Sequence, residues 1–147
     1  MNNPVAPDPF RTRAHLRWAD IDANFHLRHS VYYDLCAQQR MSALTDVGIS
    51  LMHMRRGGYG PVLFKEECTF RREIKLEDEI WIVLRRCAVN EPSRFSFVHT
   101  FIKADATYCA RLVVTGAWID TRLRKITVPP FDPELMERIP LLEEDGA

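Results

Sequence analysis

The chain has 147 residues, 46% of them hydrophobic and 27% charged, and its 20 basic and 20 acidic side chains leave no net charge. That length fits one domain, taken here as 1–147 with a core over about 13–128, and the lack of a basic excess argues against a general nucleic-acid binder while leaving room for a local basic patch. No apolar run approaches the roughly 18–20 residues that span a membrane, and the polar start MNNPVAPDPF does not read as a signal peptide, so a cytoplasmic protein is expected. Residues 1–10 read as a loose arm and 13–19 (RAHLRWA) as a strand by their polar–apolar alternation. A helix is expected from Ser30, a good N-cap, to about Val47, where Gly48 stops it. Its apolar stripe is Val31, Leu35, Ala43, Leu44 and Val47. Residues 55–60 (RRGGYG) read as a flexible glycine-rich turn. Strands follow at 61–74, 79–89, 94–103 and 107–120, with turns at LEDE and NEPS. The alternating Phe95, Phe97, His99 and Phe101 mark one face of the third of these, and the phenylalanines are expected in the core. Residues 122–128 form a short basic extension, and 132–138 a terminal helix with Asp132 as N-cap and Pro133 at its first position.

Without crossover helices between the strands, the sheet should be mainly antiparallel. The fold class is therefore α+β, one long helix against a curved antiparallel sheet. One helix covers such a sheet incompletely, so a homodimer that extends the sheet is expected. Cys36, Cys68, Cys87 and Cys109 include no C-x-x-C pair, which argues against a zinc ribbon or redox motif and for reduced, buried thiols.

The chemistry concentrates in D-I-D-A-N-F-H-L-R-H-S-V-Y-Y, Asp20 to Tyr33, where Asp20, Asp22, His26 and His29 precede the expected helix. A helix N-terminus offers unpaired N–H groups and the positive end of a dipole. With a carboxylate beside it, it can support attack on a carbonyl and hold the resulting oxyanion. Asp20 and Asp22 could also serve as loop caps. Asp22, His26 and His29 could imitate metal ligands, but no second ligand cluster supports such a site. His53 and His99 read as ordinary surface or sheet residues.

This stretch, at the first strand–helix junction, resembles the 4-hydroxybenzoyl-CoA thioesterase family of hotdog-fold proteins. The resemblance rests on D-x-D at Asp20-Ile21-Asp22, the turn Ala23-Asn24-Phe25-His26, and a helix opening Ser30-Val31-Tyr32. Gly60-Pro61-Val62, leading into a strand with Phe70, supports it. It implies the hotdog fold and an acyl-CoA thioesterase. It makes Asp22 the nucleophile or general base and sets an oxyanion-binding N–H at about His29. It places Asn24, Phe25, His26, Tyr32 and Tyr33 around the substrate. Another branch of these enzymes uses a helix glutamate, where this chain has Ala37, Gln38 and Gln39. Asn24 and Phe25 stand where one subgroup has glycines, so the resemblance does not fix the acyl preference. Arg71, Arg72, Arg85 and Arg86 are candidates for the coenzyme A phosphates, although a solvated sheet face explains them as well. The implied partners are an acyl-CoA or acyl-carrier-protein thioester and further copies of the chain, as a dimer or a tetramer of dimers, with no metal or organic cofactor. Two alternatives stand beside this reading. One is a non-catalytic acyl-CoA or carrier-protein binding module. The other is a hydratase or dehydratase, against which the Asp–His spacings here count.

Overall fold

A computed structural model describes residues 7–143. Its strands are β1 (Arg11–Ala14), β2 (Tyr59–Phe70), β3 (Ile80–Arg86), β4 (Arg94–Lys103), β5 (Tyr108–Asp120) and β6 (Lys125–Ile126); its helices are α1 (His29–Asp46), α2 (Leu51–Gly57) and α3 (Glu134–Glu137). All named strand pairs are antiparallel, in the order β1-β3-β4-β5-β2, with β6 added beside the end of β5. The expected α+β architecture, a long helix on a curved antiparallel sheet, is the one found.

Strand alternation sorts the side chains. Ile80, Ile82 and Leu84 of β3, Phe95, Phe97 and Phe101 of β4, and Leu112, Val114 and Trp118 of β5 are buried on the face toward α1, as period-two patterning requires. Each such side chain contributes about 1.5–3 kcal/mol by leaving water. From α1, Val31, Tyr32, Cys36, Ala43 and Leu44 pack into the same core. The helix runs almost where the sequence places it and stops at Gly48, whose φ of 101° lies in the left-handed region and lets Ile49 N–H return to Leu44 O at 2.7 Å.

Several boundaries differ from expectation. The first strand ends at Ala14 rather than running through 13–19, because the Asp20 carboxylate accepts the Arg17 backbone N–H at 2.9 Å and winds Trp18–Asp20 into a 3-10 turn. The turn expected at 55–60 is the end of α2, which starts where Ser50 Oγ accepts the His53 N–H at 3.1 Å. The strand expected at 61–74 gives way after Phe70, where Arg71 and Arg72 donate their N–H groups to the Cys109 carbonyl. Of the arm expected over 1–10, residues 1–6 lie outside the described residues. Phe10 is buried, and its carbonyl accepts the Leu84 N–H. Near the other terminus, Arg86 N–H donates to Pro140 O and Leu142 N–H to Arg86 O, which seats buried Ile139 against the sheet. The four cysteines are all free, and only Cys36 and Cys109 are fully buried. No helix among the described residues is long and apolar enough to cross a membrane.

Among the described residues strand β2 pairs only with β5, which leaves the other edge of its twelve residues free of any described strand. Its register shifts between Leu63 and Lys65, a bulge that leaves Phe64 unpaired and about half exposed. Gly116 lies opposite the bulge. A Cβ there would sit 2.1 Å from the Val62 carbonyl oxygen, so only glycine admits this close approach.

Candidate functional site

The loop from Asp22 to His26 closes on itself. Asp22 N–H donates to His26 O at 2.9 Å, and Ile21 and Leu27 bridge across its neck. Two further bonds fix it to the body of the protein, Leu27 N–H to Ile74 O and Arg28 N–H to Asp20 O, both 2.7 Å. Phe25 at its tip has φ 66° and is 78% exposed, a left-handed conformation that costs a bulky residue energy and that glycine adopts freely.

Asp22 occupies one carboxylate oxygen in holding this loop. Its Oδ1 accepts the N–H of Asn24 at 2.9 Å and of His26 at 3.2 Å. Oδ2 has no hydrogen-bond partner among the described residues. Asp20, by contrast, is buried and fully engaged by Arg17, through the backbone N–H and both sides of the guanidinium. The Arg17 hydrogen bonds hold its carboxyl below the ordinary value.

Beside Asp22, α1 begins at His29 without a side-chain cap. The first amides of a helix have no intrahelical carbonyl to bond, and those of His29 and Ser30 find no other partner among the described residues. Asp22, His26, His29, Tyr32, Phe70, Arg71 and Arg72 line one open cleft of about 280 Å³. His26 Nε2 is 2.9 Å from the Glu73 carboxylate, which orients the ring toward that rim. Tyr32 forms the apolar floor. Its ring lies 4.9 Å from Phe70, edge to face, and 5.0 Å from Phe101, and burial pushes its hydroxyl above the usual pKa, so it is a neutral phenol.

The remaining expected residues lie around or away from this cleft. Asn24 and Phe25 are exposed on the loop beside it, and Tyr33 packs half-buried against the core. Arg85 bonds Asp8 and the Leu84 carbonyl, while Arg86 donates Nε–H to Ile139 O. Both are held by the protein itself and stand apart from the cleft. Among the described residues no group of three or more His, Cys, Asp or Glu side chains converges as a metal site would require.

Sequence reasoning did not assemble a buried polar chain further along α1. His99, expected as an ordinary sheet residue, is wholly buried. Its Nδ1 lies 2.7 Å from Gln39 Oε1, an acceptor, and its Nε2 lies 3.1 Å from Arg40 Nη1, a donor. This pairing fixes a neutral ring with the proton on Nδ1, and burial pushes its pKa down to about 3. Arg40 Nη2 reaches the Glu66 carboxylate of β2 at 3.2 Å. Gln39 Nε2 donates to Ile82 O at 2.7 Å and to Thr12 Oγ1 at 3.0 Å. The sequence signal was available: His99 shares the period-two face of three buried phenylalanines, and Gln39 and Arg40 fall two turns beyond Tyr32 on the buried side of the helix.

Comparison with known proteins bears on the whole of this geometry. The model of a family described as the thioesterase-like superfamily matches residues 16–139. No curated protein sequence matches the chain. Among solved structures, a hypothetical protein from Staphylococcus aureus in complex with CoA is similar at TM-score 0.79 and 20% identity, over 93% of this chain and 84% of that one. A 1,4-dihydroxy-2-naphthoyl-CoA thioesterase from Synechocystis is similar at TM-score 0.76 and 19% identity, over 86% and 94%. A DHNA-CoA thioesterase from Staphylococcus aureus is similar at 0.72 and 13%, over 80% and 78%. At these identities the likeness is one of fold, and it is the hotdog fold.

Proposed function

Because the chain belongs to the thioesterase-like superfamily, we propose that it hydrolyses an acyl-CoA thioester to the free acid and CoA. The observation that carries this reading is the division of labour within Asp22. One oxygen is locked by two loop amides, and the other is left open in a cleft that also receives the uncapped start of α1. The thioester carbonyl oxygen is assigned to the amides at His29 and Ser30, where preorganised N–H donors stabilise the developing oxyanion. Asp22 either removes a proton from the attacking water or attacks the carbonyl carbon itself. Collapse of the tetrahedral adduct restores the carbonyl and expels the CoA thiolate, a fair leaving group; in the water route this gives the acid directly, and in the nucleophilic route it leaves an acyl–Asp22 anhydride that a water then hydrolyses, freeing the acid and the carboxylate.

Tyr32 and Phe70 supply apolar surface beside the reacting carbon. Of the four arginines considered for the CoA phosphates, Arg71 and Arg72 are preferred, since both line the cleft and guanidinium binds phosphate in a bidentate fork. The CoA-bound neighbour and the two CoA thioesterases of the same fold support the substrate class.

The same reading makes the protein a homo-oligomer with its site near a subunit boundary. A free antiparallel edge as long as β2, carrying exposed Leu63, Phe64 and Phe70, is a surface that proteins normally cover. A two-fold axis would pair it with its own copy.

The test is release of free thiol from a series of aliphatic and aromatic acyl-CoA thioesters, by the wild type and by Asp22→Asn. Failure of the wild type to release thiol from any of them would refute hydrolysis. It would also favour a binding module, in which Asp22 is a loop cap alone.

A further inference from the structure

Strand β2 reaches the Asp22 cleft with Phe70, and two short segments that the cleft does not use meet at its other end. Helix α2 carries Arg55 and Arg56 in its last turn, and the turn from β5 into β6 carries Arg122, Arg124 and Lys125. The Thr121 N–H joins them by donating to Gly58 O at 2.9 Å. The Arg122 guanidinium lies over the same glycine, so closely that a Cβ on Gly58 would sit 3.3 Å from Arg122 Nε. All five cations are exposed, and among the described residues none of them forms an ion pair. Asp120, the acid at the base of the turn, engages Oδ1 with the Arg122 and Leu123 amides at 2.9 Å each. In a chain with no net charge, this is a concentrated positive surface.

Aliphatic side chains stand among the cations. Leu51 and Met52 precede Arg55 and Arg56 by four residues each, one turn back on the same exposed side of α2. Met54 is buried on the other side and seats the helix on the core. Leu123 lies at the tip of the turn between Arg122 and Arg124, and Ile126 follows Lys125. Leu51 and Leu123 are 69% and 68% exposed, and Met52 and Ile126 about half. The turn bends through Arg124 at φ 58°, a left-handed conformation that glycine adopts at less cost, so a bulky cation is presented there against the preference of the backbone.

This pattern selects its partner. A protein interface gathers apolar residues into a core inside a polar rim and is depleted of lysine. Here apolar and cationic side chains alternate, and the leucines project into solvent. A bilayer surface suits that arrangement. Its phosphate headgroups accept guanidinium in a bidentate fork, and aliphatic tips between the cations reach the acyl boundary beneath. We propose that α2 and the β5–β6 turn form a docking surface for an anionic lipid bilayer. The contact is peripheral, through side chains at the surface of the fold, and docking of this kind is independent of the chemistry at Asp22.

The experiment sediments the full-length protein with sucrose-loaded vesicles of phosphatidylcholine, alone or with about one quarter phosphatidylserine. Salt is set at about 0.1 M and about 1 M, which shortens the screening length from about 10 Å to about 3 Å. The wild type should bind the anionic vesicles about 10-fold or more tightly than the neutral ones, and leave them at the higher salt. One cation near such a surface strengthens binding about 5-fold, so Arg55→Gln together with Arg56→Gln should weaken it about 25-fold. Leu123→Ser should weaken it about 10-fold, whereas Leu123→Trp should strengthen it, because tryptophan favours the membrane interface. Equal binding to neutral and anionic vesicles, or binding that survives both the arginine and the serine changes, would overturn the proposal. Binding to an acidic acyl carrier protein with none to vesicles would also overturn it, and make the patch a protein-docking surface. Calorimetric Kd values for CoA are measured on the same variants without vesicles and should be unchanged. A matching loss of CoA affinity would assign the arginines to the CoA phosphates instead. Vesicle binding as expected in a protein that releases no thiol would sink hydrolysis and leave the docking surface standing.

Discussion

An asparagine at position 22 can still accept the Asn24 and His26 amides through its own Oδ1, so the loop that Asp22 builds survives the exchange while the free carboxylate oxygen is lost. Asp22→Asn is therefore expected to melt within about 0.5 kcal/mol of the wild type, yet to hydrolyse thioester roughly 100- to 10,000-fold more slowly. Normal turnover by the folded variant would remove Asp22 from the chemistry. His29 divides differently, because its contribution is assigned to the backbone. His29→Ala keeps the amide and should cost less than Asp22→Asn, whereas His29→Pro deletes it and should cost about 100- to 1,000-fold, the usual loss for one oxyanion donor. Steady-state kinetics that find the alanine variant as inactive as Asp22→Asn would make the imidazole itself catalytic. His99 gives a pH signature away from the reaction. Its folded pKa of about 3 lies below its ordinary 6.5, through burial first and Arg40 second, so the unfolded chain binds the proton more readily. The stability it retains above pH 6.5 is lost as pH falls toward 3, by up to about 1.4 kcal/mol per pH unit. Denaturant unfolding between pH 7 and pH 4 should show a shallower loss in His99→Gln than in the wild type, and identical slopes would contradict the neutral buried ring.

Among the elements, α1 and β4 were legible because both have long, periodic patterns that local chemistry reinforces. The helix starts one residue before Ser30, which is its second residue rather than the expected N-cap, a place Arg28 takes, and it ends at Asp46, two residues before Gly48; the phenylalanine alternation gives Arg94–Lys103 without error. The Asp22 cluster was legible too, since its members are neighbours in sequence and one hydrogen-bonded loop gathers them. Helix α2 was hidden by its brevity and its glycines. The Gln39–His99–Arg40–Glu66 chain was hidden for another reason: its members come from a helix and two strands, and only the fold brings them together. The bulge of β2 belongs to the same class, visible only once Gly116 is seen opposite it. Gly116→Ala forces its methyl against the Val62 carbonyl and the Phe95 ring. It should destabilise the protein by about 1–3 kcal/mol, as overpacking does, which chemical denaturation would measure. A variant as stable as the wild type would mean that the bulge has room to relax.

At the scale of the molecule, the free edge of β2 sets the expected assembly. Sedimentation should give at least twice the chain mass of 17.1 kDa, and a stable, active monomer would refute both the assembly and a site at its boundary. The same strand has a consequence for how the protein is made. Synthesis proceeds from the N-terminus, and β2 leaves the ribosome well before β5, its only strand partner among the described residues. Until β5 follows, both edges of β2 are open, and the bonds that seat Ile139 cannot form until residues 140–142 are also out. Long-range pairing of this kind is slow, and an unpaired apolar strand invites contact between nascent chains. The edge offered to a sister subunit in the finished protein is thus, during translation, a hazard that depends on how closely ribosomes follow one another on the message.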